Sequence, residues 1–179
     1  NLNIFGSINL NEFLEHNNLT VAEKGSLIYL CINGRGSFRN SPSLKDFITK
    51  KFEKESPTKI FLDMNLCSGM DSTFMGVLAG LSILCKKNKH SFSLINISQK
   101  NEKLLKTLGV SKILNYSNND DDFSKVIPKE IPTINNEQKT TETSLDAHKQ
   151  LVKIDPKNKL EFKSVIDLLE IELKNFSKD

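Results

Sequence analysis

The chain has 179 residues, of which 37% are hydrophobic and 26% charged, and a formal charge of +3 from 25 Lys and Arg against 22 Asp and Glu. That length holds one domain of ordinary size plus an appendage, and the composition is that of a globular chain rather than a disordered one. So small and evenly spread a charge argues against nucleic acid as a partner.

Cys31, Cys67 and Cys85 lie in separate apolar stretches without C-x-x-C spacing, so reduced thiols are expected rather than disulfides or a zinc site. The longest apolar run, Phe74 to Cys85, spans 12 residues, short of the roughly 20 that cross a bilayer. It reads as a buried helix, and no membrane insertion is expected. The segment NLNIFGSINLNEF lacks the basic and apolar regions of a signal peptide, and without an initiator Met the chain reads as beginning after it, so the cytoplasm is the default location.

Residues Ile4 to Leu14 read as an edge strand and a short helical turn. Leu27 to Ile32 is a run of β-formers followed by Gly34 and Gly36, as in a buried strand ending in a turn. Ser41-Pro42 supplies a cap and a first-turn proline, and Leu44, Phe47, Ile48 and Phe52 recur at helical spacing to about Lys54. After Ser56-Pro57, the segment KIFLDMNLC reads as a central strand.

Asp71, Ser72 and Thr73 are cap residues for a second helix, whose stripe of Phe74, Val77, Leu78, Leu81 and Cys85 ends at Lys86-Lys87-Asn88. Gly76, Ala79 and Gly80 remove bulk and would let this helix lie close to the sheet. SFSLINIS is a third strand, and Leu104, Leu105 and Leu108 mark a short helix closed by Gly109. The alternation from Ser26 to Leu114 predicts an α/β domain with a largely parallel sheet and right-handed crossovers.

Three segments follow: a domain over 1–118, a polar linker over 119–143 containing Pro128 and Pro132, and a helical extension over 144–179. In the extension, Asp155-Pro156 opens a helix with Phe162, Val165, Ile166, Leu169, Leu173 and Phe176 on one face. The segment Ser144 to Phe176 is expected to dock as helix on its own domain in preference to forming a dimer, with Asp120 to Thr143 as a mobile tether.

The junction N65-L-C-S-G-M-D-S-T-F-M-G76 resembles the switch loop of the STAS family, of anti-sigma-factor antagonist type, at Asp71, Ser72, Thr73 and Gly76. GRGSF before the first helix and LLKTLGVSKIL after the third strand extend the resemblance over Ser26 to Leu114. Members often carry glycine where Phe74 stands.

The resemblance implies a mixed, largely parallel β-sheet covered by α-helices, here with the C-terminal helical extension added. It also implies a bacterial partner-switching regulator of transcription without catalytic activity or cofactor. In that role Ser72 is phosphorylated by a serine kinase that doubles as anti-sigma factor, and a metal-dependent phosphatase acts on phospho-Ser72. Thr73 is the next candidate for modification. The alternative in another class is a cytosolic STAS accessory subunit of a membrane transporter.

Elementary physics supports a switch at Ser72, because a hydroxyl at a helix start sits beside free N–H groups and the positive end of the dipole. Asp71 reads either as a cap or as a residue needed by the kinase. Met70, Asp71, Thr73, Phe74 and Met75 are the expected partner contacts, with at least one large apolar residue of Met70, Phe74 and Met75 exposed for docking. Gly69 and Gly76 are expected to shape the loop.

Gly34-Arg35-Gly36-Ser37 lacks the lysine and spacing of a P-loop and reads as a turn. His16, His90 and His148 are isolated in the sequence and read as solvated or structural. Asp120-Asp121-Asp122 reads as a solvated acidic turn.

Overall fold

The structure, a computed structural model, describes residues 18–54, 59–117 and 126–177. The elements expected over Ile4 to Leu14, together with His16 and Asp120 to Asp122, lie outside the described residues.

The strands Asn18–Lys24 (β1) and Leu27–Gly36 (β2) form an antiparallel hairpin turning at Gly25, whose φ of +59° suits glycine. Beyond it, β2 pairs in parallel with Lys59–Asp63 (β3), β3 with Ser91–Ile95 (β5), and β5 with Asn115–Tyr116 (β6). Lys129–Ile131 (β7) closes the other edge antiparallel to β1, giving the order β6-β5-β3-β2-β1-β7.

The expected central strand over KIFLDMNLC divides in two. After β3 the chain turns, and Cys67–Met70 (β4) pairs in parallel with the end of β2 at Gly34–Gly36, so the two glycines continue β2 rather than stop it. Asn101 Nδ2 donates to Cys67 O at 2.8 Å and Lys100 Nζ to Ser68 O at 3.2 Å, fixing β4 from below. This detour brings the residues after β4 beside those after β2.

Among the described residues five α-helices follow in chain order: Ser41–Lys54 (α1), Ser72–Lys87 (α2), Gln99–Thr107 (α3), Glu137–Ile154 (α4) and Asn158–Phe176 (α5), with a 3-10 turn at Val110–Lys112. Strand side chains alternate between faces. Ile28, Leu30 and Ile32 therefore join Ile60, Leu62, Phe92 and Leu94 in the main core under Leu44, Ile48, Phe74, Leu78 and Leu81. Tyr29 and Cys31 point to the opposite face with Ala22, Phe61 and Ile95. There Tyr29 donates a short hydrogen bond to Asp63, and burial, reinforced by Asp63, holds the Tyr29 hydroxyl well above its usual range.

The C-terminal part differs from expectation. The stretch 119–143 includes β7 and the first part of α4, and the tail is two helices that break at Asp155-Pro156 instead of one. Helix α4 starts at the cap Asn136, whose Oδ1 accepts from Lys139 N at 2.7 Å. Its buried face is Thr141, Thr143, Ser144, Leu145, Ala147, His148 and Leu151, too small and polar to give an apolar stripe in sequence.

Helix α5 buries Phe162 and half-buries Ile166, Leu169 and Leu173, but Val165 is exposed, as are Leu168 and Ile171. Among the described residues no helix is long and apolar enough to cross a membrane.

Candidate functional site

Asp71 organises the site. As the cap of α2 it accepts from Phe74 N through Oδ1 at 2.9 Å, while its Oδ2 accepts from Phe38 N at 2.8 Å and its own N–H donates to Gly36 O at 3.0 Å. One carboxylate thus ties the start of α2 to the loop after β2 and satisfies an N–H that the helix itself leaves free. The close approach of the two loops depends on Gly36, where a Cβ would fall 2.5 Å from the ring of Phe74.

Ser72 is the first residue of α2 and half-buried, whereas Thr73 is 5% exposed. Of the two hydroxyl candidates, only Ser72 reaches the surface. Its Oγ lies 3.0 Å from Nε2 of His148 on α4, and Nδ1 of His148 lies 2.7 Å from Ser144 O. A carbonyl only accepts, so Nδ1 carries a proton. Burial pushes the imidazole below its ordinary pKa, opposed by the Ser144 carbonyl and the Asp71 charge, so the ring is neutral and Nε2 is bare. The Ser72 hydroxyl therefore donates to His148. The ring of Phe162 from α5 packs edge-on against the same imidazole, with centroids 4.9 Å apart.

A serine donating to a bare imidazole is also the geometry of a nucleophile beside its base. Here His148 is 4% exposed, packed between Ser72 of α2 and Phe162 of α5, so the ring is closed to a substrate while the helices stay in place.

The expected partner contacts distribute differently from the sequence reading. Met70, Phe74 and Met75 are 4%, 0% and 5% exposed, so none presents a docking surface, contrary to the expectation that at least one would. All three belong to the main core cluster. At Gly76 the close approach is to α4 and not, as expected, to the sheet or the loop: a Cβ there would lie 2.5 Å from Ala147 O, while at Gly80 it would meet nothing within 4 Å. At Gly69 no close approach requires glycine, since a Cβ would come no nearer than 3.6 Å to Arg35 Nη1, an ordinary contact.

Two residues that the sequence reading did not assign to the site complete it. Phe38, held against Asp71, is 46% exposed beneath the guanidinium of Arg39, which sits 5.7 Å from its ring centroid. His148, isolated in sequence, is the partner of Ser72. Its only sequence signal is a histidine on a helical face of small residues, a pattern that carries no chemistry until the helix is placed.

A family model for the STAS domain matches residues 18–123. Among solved structures, the chain is similar to the anti-sigma-factor antagonist SpoIIAA in its unphosphorylated form, with 15% identity, 56% of this chain and 88% of that chain covered, and a TM-score of 0.50. It is similar also to a Thermotoga maritima protein described as an anti-sigma-factor antagonist, with 19% identity, 56% and 86% coverage and a TM-score of 0.50. At these identities the likeness is one of fold. No curated protein matches the sequence. Helices α4 and α5 lie beyond the end of the family match.

Proposed function

Because the chain belongs to the STAS domain family, we propose that it is a partner-switching regulator of the anti-sigma-factor antagonist type, controlled by phosphorylation of Ser72. In its unphosphorylated form it binds a serine kinase that doubles as anti-sigma factor. Phosphorylation ends that binding, and a metal-dependent phosphatase restores it.

The observation that carries the reading is the placement of one half-buried hydroxyl as the first residue of a helix whose cap, Asp71, also holds the neighbouring loop. A phosphate there meets free N–H groups and the positive end of the α2 dipole, which favour negative charge. It adds about −1.5 to −2 charge at the surface. A partner docked over that charge must bury it, which costs several kcal/mol without a matching cation. The exposed Phe38 and Arg39 beside Asp71 supply the aromatic and arginine pair that favours a contact centre.

The test compares full chains carrying Ser72→Ala and Ser72→Asp as baits in extract of the cells that make the protein, followed by calorimetry with the captured kinase. Ser72→Ala is expected to bind at least about a hundredfold more tightly than Ser72→Asp, or about 3 kcal/mol of the charge-burial cost. Equal affinities would defeat the proposal. Recovery of a membrane transporter with both variants, and of no kinase, would favour an accessory-subunit role instead.

A further inference from the structure

The face of α2 that carries Ser72 is already occupied. Helix α4 crosses it so closely that Ala147 O would lie 2.5 Å from a Cβ on Gly76, and His148 takes the proton of the Ser72 hydroxyl in a hydrogen bond of 3.0 Å. Ala147 and Leu151 of α4 lie in the main core with Phe74, Val77 and Leu78 of α2, whereas around Ser72 the helix presents small or polar residues, Thr143, Ser144 and His148, and a groove of about 340 Å³ lies between α1, α2 and α4. Leu145 and Leu151 are buried beneath the helix, and ion pairs add to them at the surface. Lys45 pairs with Asp146 at 2.7 Å, and Lys139 pairs with Asp46 at 2.6 Å.

We propose that α4 reads the state of Ser72: it docks on α2 through His148 while the hydroxyl is free, and phosphate on Ser72 drives α4 and α5 off, so that the form that binds a partner is the docked one. The proposal rests on the reading of Ser72 as the phosphorylated residue and adds how its state is transmitted.

The chemistry at Oγ supplies the drive. The hydroxyl gives its hydrogen to Nε2, and a phosphoserine has no such hydrogen at Oγ. Its oxygens are acceptors, facing an imidazole nitrogen that is also an acceptor, with the carboxylate of Asp71 on the adjacent residue. A phosphoryl group is also far larger than the hydrogen it replaces, and the hydrogen-bond distance leaves no room for it between Oγ and the ring. Rotating the phosphate toward solvent strips the buried imidazole of its donor. Each arrangement that keeps His148 neutral disfavours α4.

The experiment is amide hydrogen exchange on the full chain with phosphoserine introduced at position 72 during translation, against the unmodified chain. Amides of 144–151 in α4 are expected to exchange at least about tenfold faster in the phosphorylated chain, while those of β2 and β3 keep their rates. Unchanged protection of α4 would overturn the proposal. Increased protection would overturn it too, because it would mean that His148 has taken a proton and holds the phosphate as an ion pair. Faster exchange spread equally over α4, β2 and β3 would report general destabilisation and count equally against it.

The outcomes separate this inference from the function it rests on. Release of α4 in a chain that cells never phosphorylate would remove the switch function and leave the device. Loss of partner binding on phosphorylation with α4 still protected would do the reverse.

Discussion

Gly76→Ala and Gly80→Ala are the same substitution in the interior of the same helix, and we expect them to act in opposite directions. On propensity alone each gains about 0.8–1 kcal/mol, the difference between glycine and alanine inside a helix. At Gly80 nothing lies within 4 Å of the added Cβ, so the gain is realised. At Gly76 the Cβ would sit 2.5 Å from Ala147 O, 2.7 Å from Ala147 C and 2.8 Å from its Cβ. Two of these atoms are backbone and have no rotamer to escape into, so α4 must shift bodily by about 1 Å to regain ordinary contact of roughly 3.5–4.0 Å.

Such a shift takes the Ser72–His148 hydrogen bond beyond its range, which forfeits about 1 kcal/mol, and overpacking adds about 1–3 kcal/mol. Set against the propensity gain, the expected net effect is about 1–3 kcal/mol of destabilisation. Urea unfolding followed by circular dichroism measures both variants, and amide exchange locates the loss, which should concentrate in α4. If Gly76→Ala proves as stabilising as Gly80→Ala, the tight α2–α4 contact does not exist and the reasoning built on it fails.

Asp71→Ala removes the cap of α2 and the anchor of Phe38 together and should lower stability by about 1–2 kcal/mol, whereas Asp71→Asn, which can still accept at the cap, should lose less; equal losses would contradict the capping role. Gly36→Ala drives a Cβ into the fully buried Phe74 ring and should cost about 1–3 kcal/mol, with partial rescue by Phe74→Leu in the double variant measured by thermal unfolding. For pH, burial places the folded pKa of His148 below its ordinary 6.5, so just below 6.5 the unfolded chain binds the proton that the folded chain refuses. That contribution to stability is complete above 6.5 and is lost as pH falls toward the folded pKa. Urea midpoints measured from about pH 7 down to about pH 5 should fall less steeply in His148→Gln than in the parent chain; parallel slopes would show that His148 is not the titrating group.

Where apolar periodicity was strong, the fold could be read directly. The stripes of α1 and α2 and the β-formers of β2, β3 and β5 place these elements because burial of large side chains writes its period into the sequence. The strand β1 was overlooked because NLTVAEK mixes polar residues into its alternation, and β7 because three residues form a strand only by borrowing the edge of β1. Helix α4 left a weak trace for a structural reason. A helix lying against Gly76 must present small residues, so the closeness of the contact removes the apolar signal that would announce it.

The site divides in the same way. Ser72 and its cap could be read locally, since capping is a matter of residues three apart. His148 is 76 positions away, and Phe38 is drawn to Asp71 across 33, so neither follows from spacing. The expectation that at least one of Met70, Phe74 and Met75 would be exposed failed because all three belong to the main core, which the loop alone does not reveal.

The most direct test of the central claim is the modification state of Ser72 in the cells that make the protein. Intact mass before and after phosphatase treatment, with peptide mapping across Met70–Gly76, should find a fraction of chains carrying a single phosphate on Ser72. A chain that carries no phosphate under any growth condition, or carries it only on the buried Thr73, would contradict the account.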